Sequence, residues 1–292
     1  MLKRAFVAFV LLLFTAPALA GPPTPLMWRA TGSEGTVYLV GSFHLLRPGD
    51  YPLATSLEQA YQRADRVVFE ISPEDMKSPD LLRKFTAAGL LPAGKKLSEM
   101  VQPDTREKLV RFLGSEAALP AVDPYKPWFF GLSIALTTMQ AAGFDATRGL
   151  DQHFMARSAE DGKATGGLET VDEQLAALDG GPWEEQEASL RESLKPAAEL
   201  REDIERLHVA WRAGDVRALE RMMIDEMMAK TPVTARLTNL ERNERWVPQV
   251  QALLDQPGTT LVVVGALHLV GEDGLPALMQ AQGVRFERVG HR

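Results

Sequence analysis

The sequence predicts an α/β fold: a mixed central sheet built from the N- and C-terminal parts of the chain, flanked by helices, with a large helical insertion between them. Three observations predict it. The first is a phrase written twice, Thr36-Val37-Tyr38-Leu39-Val40-Gly41-Ser42-Phe43-His44 and Thr260-Leu261-Val262-Val263-Val264-Gly265-Ala266-Leu267-His268. Each copy is an apolar run of the kind that fills a strand buried on both faces, closed by Gly, two residues and His. The second is another short buried-type strand, Arg66 to Ile71, which meets Pro73 at its end and carries Glu70 where it runs out. The third is the contrast between these runs and the polar, helix-patterned middle of the chain from Trp183 to Leu254.

In chain order, the first twenty residues read as a leader and not as part of the fold. Lys3 and Arg4 precede an apolar core from Ala5 to Phe14, and Ala18-Leu19-Ala20 has the small-x-small form of a cleavage site. The expectation is a signal peptide over residues 1–20, cleaved after Ala20, with residues 21–292 as one α/β domain and a helical insertion at about 182–256. The expected destination is the periplasm or the medium. There is no Cys, which excludes both a disulfide framework and a lipoprotein attachment site. Loss of Lys3 and Arg4 with the leader takes the formal charge from −7 to −9. Such a chain has no electrostatic case for nucleic acid or an anionic membrane surface, and no later stretch has membrane-spanning length.

Leu26 to Ala30 and Thr36 to Val40 read as a hairpin across Gly32-Ser33-Glu34-Gly35. A helix is expected near Leu53 to Ala64, then the Glu70 strand, then two amphipathic helices between Ser78 and Gly114 broken at Leu91-Pro92-Ala93-Gly94. Trp128 to Ala142 is the most apolar helix and is expected to be the most buried one, with Gly143 as its stop. Gly149 to Arg157 opens another helix, and Ala164 to Leu168 is a short strand ending at Glu169. Thr170-Val171-Asp172-Glu173 has the form of a helix N-cap. Helices then run from Trp183 to Leu254, with Pro232 early and Pro248 as an expected kink, before the second His phrase, a helix at Leu275 to Gln282 and a last strand at Val284 to Arg288.

Open α/β sheets place ligands at the carboxyl ends of their strands, so docking the two repeated strands side by side brings His44 and His268 to one rim. Glu70 and Glu169 also stand at strand ends. Two imidazoles with one or two carboxylates are a ligand set for a first-row divalent ion, zinc included, with a spare carboxylate as general base. The same residues without an ion make a His base oriented by Glu. Each has a plainer role open to it. Glu70 can pair with Arg66, Glu169 can belong to the helix start at Thr170, and His153 reads as structural. His208 and His291 read as solvated. Arg242-Asn243 beside Trp246 either faces an anionic intermediate or lies on an exposed helical face, and Met222, Met223, Met227 and Met228 read as a packing stripe.

The combined motifs resemble the TraB/PrgY/GumN family, related to the Tiki metalloproteases. The resemblance rests on Tyr38 to His44, Glu70, Gly149-Leu150-Asp151, Leu168-Glu169-Thr170 with Gln174, Arg242-Asn243 and Val264 to His268. It implies a metal at His44, His268 and Glu70, with manganese or cobalt as the ion. It also implies Glu70, Glu169, Arg242 and Asn243 as catalytic residues, and peptide cleavage as the reaction. More distant relatives resemble erythromycin esterases and haem-binding ChaN-like proteins. A metal-independent His/Glu esterase, or a non-catalytic protein that binds haem or a signalling peptide, are therefore the alternatives. The expected partner is a peptide or small-molecule substrate.

Overall fold

The two His phrases become adjacent parallel strands. The computed structural model describes residues 21–290; the leader expected over residues 1–20, and His291, lie outside the described residues. The sheet contains β1 (Met27–Thr31), β2 (Gly35–Ser42), β3 (Arg66–Ile71), β4 (Ala164–Glu169), β5 (Gly258–Gly265) and β6 (Glu287–Arg288), in the order β4-β3-β5-β2-β1-β6. β1 and β2 form the expected antiparallel hairpin, while β2, β5, β3 and β4 are mutually parallel, so the sheet is mixed. The register sets Val40 opposite Val263 and Ser42 opposite Gly265. Val37, Leu39, Leu261 and Val262 are fully buried, as strands covered on both faces require.

Helices cover the sheet and build the remainder. Before β4 come α1 (Thr55–Arg63), α2 (Pro73–Met76), α3 (Leu81–Gly89), α4 (Leu97–Met100), α5 (Pro103–Leu113), α6 (Pro127–Ala141) and α7 (Leu150–Glu160). After it come α8 (Val171–Asp179), α9 (Trp183–Ser193), α10 (Ala197–Ala213), α11 (Val216–Met222), α12 (Pro232–Ala235) and α13 (Glu241–Leu254), with α14 (Leu275–Ala281) following β5. No helix among the described residues is long and apolar enough to cross a membrane.

Three expectations are corrected here. α6 is not the most buried helix: Trp128 and Ile134 are buried, but Leu132 and Leu136 are each 37% exposed. A helix apolar all round has two faces to cover, and the core takes only one of them. His208 is buried and not solvated. It lies on α10 against Phe43 and Trp211, with Nε2 3.0 Å from both carboxylate oxygens of Asp50. Pro248 lies inside α13, which continues past it to Leu254, and a π turn over Arg236–Leu240 precedes that helix. The last strand shrinks to Glu287–Arg288, because β1 offers it only two partners, Trp28 and Arg29.

Candidate active site

Four parallel strands end at one rim, and each brings a residue to it. His44 follows β2, Glu70 closes β3, Glu169 closes β4 and His268 follows β5. The plainer roles open to the two acids are taken by other residues. Arg66 is turned to Gln256 and the Pro257 carbonyl, not to Glu70. Thr170 caps α8 in a reciprocal box with Glu173, so Glu169 is not spent on that helix start.

The centre of the site is marked by what Gly265 lacks. Its φ of −51° would suit other residues. A Cβ there would, however, sit 3.3 Å from Glu70 Oε1, 3.5 Å from His44 Nε2 and 3.5 Å from His268 Cδ2. The Gly265 amide donates to Glu70 Oε1 at 2.6 Å, fixing the carboxylate. Gly149 is required for a different reason. A Cβ on it would run into the His44 carbonyl, and this close approach brings the start of α7 against the first His.

Both imidazoles are held by Nδ1. His44 Nδ1 lies 3.3 Å from Asp151 Oδ1, which also accepts from Ser42 Oγ at 2.9 Å, leaving Nε2 toward the cleft. His268 Nδ1 donates to Asn243 Oδ1 at 2.8 Å. Its Nε2 accepts from Arg242 Nη1 at 3.0 Å, and since a guanidinium only donates, this fixes the tautomer. Arg242 also joins the two acids. Nη2 reaches Glu70 Oε2 and Glu169 Oε1, each at 2.6 Å, and Nε reaches both oxygens of Glu169 at 3.1 Å. Its guanidinium stacks over Trp246, 4.7 Å from the ring centroid. Gln174 adds a 3.2 Å bond to Glu70 Oε2.

The electrostatics separate these groups. Burial opposes charge on Glu70, but Arg242, both imidazoles and the Gly265 amide outweigh it and hold the carboxyl at about 2. Burial pushes Glu169 the other way, upward, with Glu70 adding to it and Arg242 resisting. His268 is driven down to about 3 by burial, with Arg242 and His44 adding to the effect and Glu70 opposing it. At neutral pH it is therefore neutral. Desolvation works against a charge on His44 as well, yet Asp151 and Glu70 lift it to about 9. With 57% of its side chain exposed at the cleft mouth, solvent screens part of that effect.

Of the residues singled out in the sequence, His44, Glu70, Arg242 and His268 line one cleft of about 470 Å³. Glu169 and Asn243 are brought to the same cluster from behind it. Asn243 is fully buried, with its amide donating to the Asp273 carbonyl at 2.7 Å and its oxygen turned to His268, so it orients a ring and does not face the cleft. His153 stays apart, packed between Tyr51 and Phe154. Sequence reasoning does not single out Asp151 as a site residue. An acid in the first turn of a helix is the ordinary complement to its dipole, and only the Gly149-Leu150-Asp151 phrase hinted at more.

The donor chemistry fits a first-row divalent cation. His268 carries its proton on Nδ1 against Asn243, and His44 turns Nδ1 to Asp151, the outer-shell pattern that aims Nε2 at a metal once His44 gives up its second proton. Glu70, Glu169 and Asp151 also outnumber the one permanent cation among these side chains, Arg242. The fit has one condition. Arg242 holds the His268 Nε2 lone pair, and among the described residues no three His, Asp or Glu side chains are grouped as an ion would need. Arg242 must therefore give up that bond for His268 to coordinate.

Fold and site together define an α/β protein with a histidine–carboxylate–arginine cluster at the carboxyl ends of parallel strands. The chain belongs to the TraB/PrgY/gumN family, whose model matches residues 26–288. It is 24% identical over 256 residues to the uncharacterized protein YbaP of Escherichia coli, covering 83% of this chain and 87% of that protein. It is 25% identical over 303 residues to the metalloprotease TIKI2 of Danio rerio, covering 86% of this chain and 58% of TIKI2. An uncharacterized Treponema pallidum protein is 22% identical over 280 residues. No solved structure matches the chain significantly.

Proposed function

We propose that the chain is an exported hydrolase that cleaves peptide bonds at this rim, with a divalent ion held by His44, Glu70 and His268. The observation that carries the reading is the gathering of His44 Nε2, Glu70 Oε1 and the His268 ring around the empty Cβ position of Gly265. The similarity to a metalloprotease supports the reaction class. When bound, the ion would act as a Lewis acid on the scissile carbonyl and lower the pKa of water.

The remaining roles belong to the protein. Asp151 and Asn243 keep the two rings in one tautomer and orientation. Arg242 keeps Glu70 ionised and, next to Asn243 on α13, stands at the cleft floor where negative charge would develop on a substrate oxygen. Glu169 holds Arg242 in place from behind. His44, exposed at the mouth, can pass a proton between the cleft and solvent when no ion occupies its Nε2. Burial of Glu70 and His268 below the rim keeps bulk water from the reacting atoms.

The test is manganese or cobalt titration of chelator-stripped protein, followed by hydrolysis of a peptide library scored by mass spectrometry. One tight site is expected, lost in His44→Ala and in His268→Ala, with cleavage abolished by chelation and restored by the ion. Cleavage that survives exhaustive chelation would replace this reading with the His44–Asp151 pair acting as a metal-independent acid–base unit, which the 3.3 Å contact favours as the second reading. Absence of any metal-dependent cleavage, with biological activity intact in the double His variant, would refute catalysis altogether. The proposed export is supported by the leader-like pattern of residues 1–20 and is checked by the N-terminus of the mature protein, expected at Gly21.

A further inference from the structure

The cleft has chemically opposite sides. His44 and Asp151 form one edge and Glu70 with Arg242 the floor, but the facing wall is apolar: Leu132 and Leu136 of α6, Phe85 of α3, Met76 of α2 and Leu178 of α8. Leu132 and Leu136 are one helical turn apart, so they present a continuous stripe. They are the two exposed large apolar side chains of α6, each 37% exposed, while Trp128 and Ile134 of the same helix are buried. Large aliphatic groups left in water forgo roughly 25 cal/mol per Å² of apolar surface. The stripe lines the cleft that holds the cluster.

From this wall we infer a specificity subsite: the peptide substrate carries a bulky aliphatic or aromatic side chain next to the bond that reaches His44 and Glu70. The inference rests on the hydrolase reading for the substrate's backbone and adds the class of its side chain. Two features of the wall decide that class. None of its five residues is charged or polar, and Gln174, which lines the cleft one turn before Leu178, has its amide turned to Glu70, so a substrate Asp, Glu or Lys seated on the wall would be desolvated without a partner. The cleft, at about 470 Å³, lies in the range of small-ligand sites. It therefore takes a few residues of extended chain and not a folded surface. The polar edge and floor then meet the peptide group, and the stripe meets the side chain beside it.

The experiment uses the full chain and fluorescein-labelled pentapeptides identical except at the central residue, which is Leu, Phe, Asp or Lys. Binding is read by anisotropy in chelator, where turnover is suppressed, and cleavage separately with manganese present. Leu and Phe peptides should bind at least about tenfold more tightly than Asp or Lys peptides, the scale on which apolar pockets discriminate. Leu132→Asp with Leu136→Asp should erase the preference, and Leu132→Ala with Leu136→Ala should weaken it. Leu82→Asp, at a side chain 77% exposed and outside the cleft, should leave it intact. All variants place their new side chains at partly solvated positions, and near-ultraviolet circular dichroism checks that each is folded. Apolar preference in binding without any cleavage would uphold the subsite and refute the hydrolase reading. Cleavage with no preference would do the reverse. No binding of any peptide, or a preference unchanged in the Leu132/Leu136 variants, overturns the subsite.

Discussion

Replacing Arg242 by Met isolates what its charge does, because the thioether keeps much of the stem that packs on Trp246. Arg242 is 7% exposed, Glu169 is 7% exposed, and the guanidinium supplies two 2.6 Å bonds, one to each acid. An exposed ion pair would be worth about 0–1 kcal/mol. Breaking a buried one leaves uncompensated charge and costs about 3–5 kcal/mol. Two carboxylates are stranded here, so the upper part of that range is expected at pH 7. The loss should also depend on pH. Without Arg242 the buried acids have folded pKa values above the unfolded carboxylate value of about 4.3. Groups raised in this way contribute stability that is full below the unfolded pKa and lost as pH rises through the folded one. Urea unfolding of wild type and Arg242→Met at pH 7 and at pH 4.5 should therefore show the difference shrinking by more than half in acid. Adding Glu169→Gln to Arg242→Met should recover a large part of the loss at pH 7. A loss below about 1 kcal/mol at pH 7, or one equal at both pH values, would refute the view that Arg242 is the counter-charge of the cluster.

Three further outcomes follow from the same geometry. Asp151→Asn removes the main force that lifts His44 to about 9, so the ring titration, followed by NMR in chelator, should fall by more than one unit; an unmoved titration would show that Asp151 does not hold the ring. Gly265→Ala has a permitted φ of −51° and should change stability by no more than about 1 kcal/mol. Its methyl would nonetheless fill the point where His44, Glu70 and His268 meet, so manganese binding, measured by calorimetry, should drop at least tenfold. Asp50→Asn should cost about 3 kcal/mol at pH 7, since it strips the buried carboxylate from His208 and Arg212. Burial resists ionisation of Asp50, but His208, the Arg47 amide and Arg212 hold its pKa below the ordinary value. The stability it supplies is thus present above the unfolded pKa and lost as pH falls through the folded one, and wild type and variant should converge in acid melts.

What the sequence revealed and what it concealed divide along one physical line. The doubled phrase was legible because a strand buried on both faces must be apolar at every position, and that pattern is local. The parallel pairing of β2 with β5 then follows from the handed, un-knotted connections of such sheets. Glu70 was legible because it interrupts an apolar run at its end. His208 was not, because its partner Asp50 is 158 positions away and nothing near His208 distinguishes a buried histidine from a solvated one. The second face of α6 was hidden for a similar reason. Uniform apolarity states that both faces avoid water but not that one of them borders a cleft. Asn243 was found, with its role misplaced: a sequence cannot tell an amide facing a substrate from one facing the back of an imidazole.

The position of Arg242 shows why the helical insertion belongs to the site. The strand ends alone bring together two acids and two rings with no permanent cation, an arrangement that would repel itself or demand protons. The compensating charge arrives on α13, directly after the π turn at Arg236–Leu240. Such a turn adds a residue to the helical repeat, and its cost is tolerated chiefly where function sets the geometry. Here it leaves Asn239, Arg242 and Asn243 on one face, at the i, i+3, i+4 spacing that meets a common partner. Asn239 bonds the Leu267 carbonyl, Asn243 bonds the His268 ring, and Arg242 bonds His268 together with both acids. Three consecutive contacts from one helical face therefore seat the second His phrase. A site whose charges are fixed in this way needs little rearrangement as charge develops on a substrate. Under the proposed metal reading, the Arg242–His268 bond is the contact that a cation at His268 Nε2 would have to replace.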